Sequence, residues 1–382
     1  MQTETPTAAL TLDERPAHPR RILWIDVAKG IAMLLVFYGH LGGAGDNPWF
    51  PNLTGSIWVV YLFHMPLFFM LSGLTFNPNK DFRTFFISRF KRLVIPYFFF
   101  SIYALGKILL LTIAPSVVAG FHAGSMGTPL AELGNIFLGN TNGLWFFLAL
   151  FWGELALYGV HHLTKAAPHR ILVLAIIVAI SGCAWFTVSL LSVYQYVPFQ
   201  LLHATEAIAF VGLGWMLAPR LKDLPRRSSS IFCAVTMVAF IAFGLLIRYT
   251  PAPHAITWTI APAVLLRLCA ATFGSLMVIF LTQLMAPWRW LTYIGRNTMI
   301  FYGLNGLSMA IARKAVFMLV PVSLVAAHLA LQIAIGFVVI TVACLVCAAA
   351  TPIINRWCWW GIGLPDPPHA QHAAKLDAQS KS

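Results

Sequence analysis

Long apolar runs recur along the chain and leave little room for polar segments between them. A bilayer core about 30 Å thick needs roughly 20 helical residues per crossing. The length of the runs and their lack of strict alternation favour helices over buried strands. We therefore predict an all-α fold, a polytopic integral membrane helical bundle of about ten transmembrane helices. The predicted spans are residues 22–41, 56–76, 93–114, 143–163, 171–192, 200–218, 231–247, 257–285, 298–319 and 323–351.

Composition and charge agree with a protein embedded in the bilayer. The chain is 59% hydrophobic and 10% charged, whereas soluble proteins carry about 25% charged residues. The net charge of +13 needs no nucleic acid partner, because most cations fall in short loops that we place on the cytoplasmic side. These segments are 1–21, 77–92, 164–170, 219–230, 286–297 and the residues after 351.

This charge pattern predicts that both termini are cytoplasmic. We divide the chain into an N-terminal tail over 1–21, a membrane domain over 22–351 and a C-terminal tail over 352–382. Asp26 and Lys29 do not suit the apolar region of a signal peptide, so we expect the first helix to stay uncleaved.

Ionisable residues inside spans are costly and are candidates for function. They are Asp26, Lys29, His40, His64, Lys107, Glu154, His203, Glu206 and Arg267. Lys29 and His40 are eleven residues apart, so they share a helix face and lie about 16 Å apart along the axis. In the predicted orientation Lys29 lies in the cytoplasmic half of the span and His40 in the outer half, where its imidazole suits a general base. A structural alternative is that Asp26 and Lys29 neutralise each other while His40 sits at the interface.

Three further positions in the spans allow functional and structural interpretations. His64 precedes Pro66, which removes a backbone donor and can kink the helix, but a buried histidine can also be purely structural. Near the inner end of that span, Ser72 and the following glycine permit close approach of a ligand or a helix. Glu154 is either a polar group of the site or the ion-pair partner of Lys107 or of a histidine.

Residues 80–92 alternate aromatic and basic side chains, the pattern of an amphipathic helix at the membrane surface. Its simplest role is binding anionic lipid headgroups. Arg89 and Arg92 lie one turn apart and could instead bind the phosphates of a nucleotide-bearing donor.

These segments together resemble the membrane-bound acyltransferase 3 family, in particular the branch of fucose 4-O-acetylases and surface-polysaccharide O-acetyltransferases. The family pattern of a basic residue, ten residues and a histidine is matched by Lys29 and His40. Residues 63–73, FHMPLFFMLSG, are similar to its second helix, and Arg89-Phe90-Lys91-Arg92 matches its Arg-x-x-Arg loop. Residues 144–147 and 295–298 resemble weaker later motifs. Many members carry a histidine in the helix after 298, which reads Phe-Tyr-Gly-Leu-Asn here over 301–305.

The resemblance implies transfer of an acyl group, most often acetyl, from cytoplasmic acyl-CoA to a hydroxyl of a cell-surface glycan or lipid-linked oligosaccharide. It places the protein in the bacterial inner membrane, with other envelope-polysaccharide assembly proteins as further partners. His40 would act as general base or acyl acceptor. The catalytic candidates are His40, Lys29, Asp26, His64 and Glu154, and the candidates for acyl-CoA binding are Arg89, Arg92 and Ser72.

A transporter or flippase for a glycan or a small anion is the alternative from another class, since intramembrane charges also mark transport paths. No metal site is expected. The adjacent His161 and His162 diverge on a helix, and Cys344 and Cys347 lack a second ligand pair.

Overall fold

The computed structural model describes residues 22–42, 49–113, 129–140, 143–250 and 259–365, and these ranges contain helices and no β-strand. The all-α membrane fold predicted from the sequence is therefore confirmed. The helices are α1 (Leu23–Gly39), α2 (Thr54–Tyr61), α3 (His64–Gly73), α4 (Phe82–Arg89), α5 (Ile95–Ile113), α6 (Pro129–Phe137), α7 (Trp145–Leu163), α8 (Arg170–Leu190), α9 (His203–Lys222), α10 (Arg226–Tyr249), α11 (Ile260–Leu284), α12 (Arg289–Arg296), α13 (Thr298–Gly303), α14 (Asn305–Phe317), α15 (Val322–Ala327) and α16 (Leu329–Trp357).

Seven helical segments in the described ranges are long and apolar enough to cross a membrane: Pro51–Gly73, Trp145–Leu163, Arg170–Leu190, Pro198–Lys222, Arg226–Tyr249, Ile260–Leu284 and Leu329–Trp357. The other three predicted spans differ in detail. The first is α1 with 17 residues, and the third is α5. The span predicted over 298–319 is divided at Leu304 into α13 and α14, where Gly303 and Asn305 both have low helix propensity. The number of crossings stays a prediction.

The second span is interrupted near its middle. Helix α2 ends at Tyr61, and α3 begins at His64 after Phe63 has left the helical conformation (φ −144°, ψ −12°). Pro66 lies in the first turn of α3, where its missing N–H removes no helical hydrogen bond. The interruption is therefore upstream of the proline, and it places His64 at a helix start.

The centre of the bundle is α9, which packs against α3, α7 and α8. In contrast, α10 and α16 bury only 17% and 22% of their most apolar windows. Their exposed apolar side chains, such as Val238 and Phe337, form surfaces suited to lipid contact. Seven of the nine ionisable residues predicted in the spans lie on or at the ends of the inner helices α1, α3, α7 and α9, whereas Lys107 belongs to α5 and Arg267 to α11.

Helix α12 packs closely along the inner half of α1 through glycines. A Cβ atom at Gly295 would collide with the Asp26 carbonyl oxygen, and one at Gly30 would collide with the Leu291 carbonyl oxygen. This close approach brings residue 296 beside residue 26.

We expect Gly295→Ala to lower the free energy of unfolding by about 1–3 kcal/mol, the usual cost of overpacking, because two backbones would have to separate. Thermal unfolding of the purified protein would measure this loss. Gly244→Ala, in a helix with no atom within 4 Å of the added Cβ, is the matched control. Equal melting temperatures for the two variants would contradict the prediction.

The amphipathic segment folds back onto α7. Asp81 caps α4 by accepting a hydrogen bond from the Thr84 amide at 2.9 Å, and this bond holds the pKa of Asp81 below its usual value. The Phe85 ring stacks on Tyr158 of α7 with centroids 4.5 Å apart. A π-helical turn over Phe90–Val94 then leads into α5. These contacts place the arginines of the segment against α7.

Candidate functional site

A cavity of about 710 Å³ lies at the end of the bundle that contains the C-terminus of α1. We call it the outer cavity, because the charge pattern predicts that this end faces away from the cytoplasm. Its polar lining includes His40, His64, Asn140, Gln200, His203 and Glu206, and no lysine or arginine is among the described residues that line it. Two of the catalytic candidates from the sequence, His40 and His64, therefore share one cavity.

His40 terminates α1, and its ring is held by the helix itself. Nδ1 lies 2.8 Å from the Val36 carbonyl oxygen. A carbonyl oxygen only accepts, so Nδ1 carries the hydrogen and the neutral ring keeps a lone pair on Nε2. Arg313, which the sequence gave no role, donates to the His40 carbonyl at 3.0 Å, a favourable place for a cation at a helix C-terminus.

His64 has the same arrangement one helix away. Its Nδ1 lies 3.0 Å from the Val60 carbonyl oxygen, and the Tyr61 ring meets it edge-on with centroids 4.9 Å apart. The Tyr61 hydroxyl in turn donates to the Gly39 carbonyl at 3.4 Å. Tyr61 thus joins His64 to the residue before His40, and both histidines leave Nε2 as the acceptor nitrogen.

His203 and Glu206, which sequence reasoning listed without a role, form a second polar group in the outer cavity. Both are buried in the first turn of α9. The His203 ring lies among Trp145, Trp185 and Tyr194, with centroid distances of 4.5, 4.6 and 4.9 Å. Their spacing of three residues inside an apolar span was the available sequence signal.

The segment before α9 completes this wall in a strained conformation. Phe199 and Gln200 adopt left-handed backbone angles, with φ of 58° and 59°, a conformation that costs about 1–3 kcal/mol per residue outside glycine. Gln200 then donates to the Gly139 carbonyl at 2.8 Å and to the Asn140 side chain at 3.2 Å. A strained backbone persists only where surrounding contacts hold it in place. Here the hydrogen bonds of Gln200 do so, and they fix the amide side chains of Gln200 and Asn140 at the cavity.

Two cavities lie at the opposite end of the bundle, which we call the inner cavities. One, of about 240 Å³, is lined by Thr75, Asn77, Lys80, Phe85, Ser88, Arg89 and Arg92. The other, of about 590 Å³, shares Thr75 and Asn77 with it and adds Arg170 and Lys222. Five cations and no carboxylate are thus among the described lining residues. This charge distribution suits an anionic ligand.

Glu154 lies with the arginines and not among the described residues lining the outer cavity. Its Oε2 is 2.9 Å from Arg89 Nε, with side-chain exposures of 3% for Glu154 and 21% for Arg89. The two side chains form an ion pair, but their geometry does not meet the angle of a hydrogen bond. The charges of Arg92 and Lys29 also act on this carboxylate. The partner in the structure is Arg89, because α4 folds back onto α7, and not a histidine. The side chain of Lys107, the other partner considered from the sequence, lies outside the described part of the structure.

Asp26 forms an ion pair with an arginine at the end of α12. Its Oδ2 lies 3.3 Å from Arg296 Nε, a residue of the 295–298 segment. Lys29 is half-buried on the same helix. The structure therefore separates the candidates of the first helix, with Asp26 and Lys29 near the inner end and His40 at the outer cavity.

Ser72 does not line either inner cavity. Its hydroxyl donates to the Phe68 carbonyl at 3.0 Å within α3, whereas Thr75, three residues later, lies on the wall of both inner cavities. Ser72 stays a sequence-based candidate, and Thr75 is the polar residue that this part of the chain contributes to the inner cavities.

The fold and the two ends of the site define a multi-pass membrane protein with a histidine-lined cavity and separate cationic cavities. The family model described as an acyltransferase domain, that of the acyltransferase 3 family, matches residues 22–350. The chain belongs to this family, and its general activity is membrane acyl transfer. Comparisons with curated proteins and with solved structures return no match.

Proposed function

We propose that the protein transfers an acetyl group from cytoplasmic acetyl-CoA to a hydroxyl of a cell-surface glycan or lipid-linked sugar in the bacterial inner membrane. The observation that carries the proposal is the placement of a histidine-lined cavity at the start of α3 and of cationic cavities at its end. A polyanionic donor and a neutral hydroxyl acceptor need these two different environments.

On the donor side, Arg92 and Lys80 bind the phosphates of CoA, together with the Arg89 nitrogens that do not contact Glu154. Guanidinium groups suit this role because they donate two parallel hydrogen bonds to phosphate oxygens. The thioester arm then extends along α1 past Lys29 toward His40, over about 16 Å of helix axis.

On the acceptor side, His40 Nε2 takes the proton of the acceptor hydroxyl. The hydroxyl oxygen attacks the thioester carbonyl carbon, the C–S bond breaks, and the CoA thiolate leaves and is protonated. Nδ1 stays bonded to the Val36 carbonyl throughout, which stabilises the protonated ring and fixes its orientation. His64 is a second polar group in the cavity. Near the inner end, Glu154 forms an ion pair with Arg89 and Asp26 forms one with Arg296.

The test of the proposed function uses sealed membrane vesicles of both orientations, radiolabelled acetyl-CoA and extracted glycan acceptors. Because acetyl-CoA does not cross membranes, label should enter glycans when the cytoplasmic face is exposed and not when it is enclosed. Movement of glycan across the vesicle membrane without acylation would contradict the proposal and favour the transporter.

We expect Arg92→Ala to weaken acetyl-CoA binding about tenfold, the effect of losing charge-assisted hydrogen bonds to phosphate. Equilibrium binding of labelled acetyl-CoA to detergent-purified protein measures this change. Arg227→Ala is the matched control, since Arg227 is an exposed cation at the start of α10 and lines neither inner cavity. Equal losses in both variants would indicate general membrane electrostatics in place of a phosphate site.

A further inference from the structure

The His203–Glu206 wall of the outer cavity has polar atoms that no described residue satisfies. Glu206 is 4% exposed and His203 is 9% exposed. Trp185 lies beside the Glu206 carboxylate, yet Glu206 Oε2 and His203 Nδ1 both lack a hydrogen-bond partner in the described chain. Buried polar atoms are normally paired, so two neighbouring ones without partners on a cavity wall indicate a site for a polar ligand.

The aromatic residues of this wall restrict the kind of polar ligand. Trp145, Trp185 and Tyr194 surround His203 and also line the cavity. Large aromatic side chains supply rigid apolar surface beside a polar edge. A sugar ring has the matching surface, because C–H groups cover its faces and hydroxyls project from its rim. The volume of about 710 Å³ also lies within the range of about 300–1,000 Å³ typical of ligand cavities.

The charge of the wall restricts the sugar further. No lysine or arginine is among the described lining residues, so no cation there would balance the carboxylate of an acidic sugar. An acidic sugar would have to bury its own carboxylate without a cation beside it, which is strongly unfavourable. A neutral sugar gains hydrogen bonds from Glu206, His203 and the amide of Asn140 without this cost.

We propose that this wall is the acceptor subsite, and that it selects a neutral sugar residue and orients one of its hydroxyls toward His40. The inference rests on the proposed acyl transfer for the identity of the acceptor, but binding of the sugar does not require the reaction. Glu206 and His203 are specificity-determining residues in this scheme, and the aromatic ring cluster positions His203.

The first experiment measures sugar binding without catalysis. Trp145 and Trp185 line the subsite, so quenching of tryptophan fluorescence in the purified full-length protein can report occupancy. The probes are a methyl hexoside and the matching methyl hexuronoside, which differ by one carboxylate. We expect the wild-type protein to bind the neutral glycoside at least about tenfold more tightly. Equal affinity for the two probes, or no binding of either, would overturn the proposal.

The second experiment uses Glu206→Gln and Glu206→Ala in the acyl-transfer assay. We expect Glu206→Ala to raise the acceptor KM about tenfold or more, with kcat and the KM for acetyl-CoA unchanged within a factor of about three. Glu206→Gln should give a smaller rise, since its amide keeps an acceptor oxygen.

Asn305→Ala provides the structural control, because Asn305 Oδ1 is also buried without a partner but the residue does not line the outer cavity. If Asn305→Ala and Glu206→Ala change the acceptor KM equally, the effect is general destabilisation and the subsite is refuted. If the wild-type protein binds neutral glycosides but transfers no acyl group, the proposed function fails while the subsite stands. If transfer occurs and Glu206 variants leave the acceptor KM unchanged, the subsite alone fails.

Discussion

His40→Ala is expected to slow acyl transfer by about 10²–10⁴-fold, the contribution of a positioned general base. The alanine removes the Nε2 lone pair that takes the acceptor proton, and nothing in the inner cavities changes. Acetyl-CoA binding should therefore stay at the wild-type level. Initial rates of label transfer from acetyl-CoA to glycan, together with equilibrium binding of the donor, measure the two quantities separately.

Two variants sharpen this test. His40→Gln retains a side-chain N–H that can donate to the Val36 carbonyl but cannot take up a proton, so we expect it to be as inactive as His40→Ala. His328→Ala removes an exposed histidine at the start of α16 and should leave transfer unchanged. Transfer by His40→Gln at more than a tenth of the wild-type rate would show that His40 has only a structural role. Label on His40 itself would indicate an acyl-enzyme step.

Arg89→Met is expected to be strongly destabilising, by about 3 kcal/mol in the free energy of unfolding. Removing one partner of a buried ion pair leaves the other charge without compensation, at a cost of about 3–5 kcal/mol, and the 21% exposure of Arg89 places this pair at the lower end. The cost arises from Glu154, which stays buried without its partner. Denaturant titration in mixed micelles measures the loss.

The double variant Arg89→Met/Glu154→Gln separates stability from donor binding. It should recover most of the lost stability, because no buried charge remains, but acetyl-CoA binding should stay weak because the guanidinium is still absent. Glu154→Gln alone should be nearly neutral in stability, since Arg89 keeps access to water. If the double variant is as unstable as Arg89→Met, the pair does not control stability. If it binds acetyl-CoA normally, Arg89 does not contact the donor.

The fold was predictable where apolar runs are long and have no competing signal. Helices α7 and α8 begin and end within two residues of the spans predicted over 143–163 and 171–192. The interruption at Phe63 was not predictable from hydropathy, because apolar residues flank it, and the one at Leu304 has only the weak signal of Gly303 and Asn305. Backbone breaks of this kind depend on packing, such as the contact of Gly303 with the Phe100 ring.

The candidate site was predictable in its helical spacing but not in its tertiary contacts. The separation of Lys29 from His40 along α1 follows from helix geometry alone. The pairing of Glu154 with Arg89 depends on how α4 folds back, and the ring cluster at His203 combines α7, α8 and α9 with the segment between α8 and α9. Residues such as Trp185 look like ordinary apolar residues in the sequence, so only the fold reveals that they face a cavity.

The ion pair between Asp26 and Arg296 joins residues 270 positions apart in the chain, and this separation constrains how the protein is made. At about 5–20 residues per second, the ribosome adds Arg296 roughly 14–54 s after Asp26. Helix α1 must therefore wait in the membrane or its insertion machinery while most of the bundle is still being synthesised. The inner end of the protein can close around α1 only in this late stage of biogenesis, when α12 docks through Gly295.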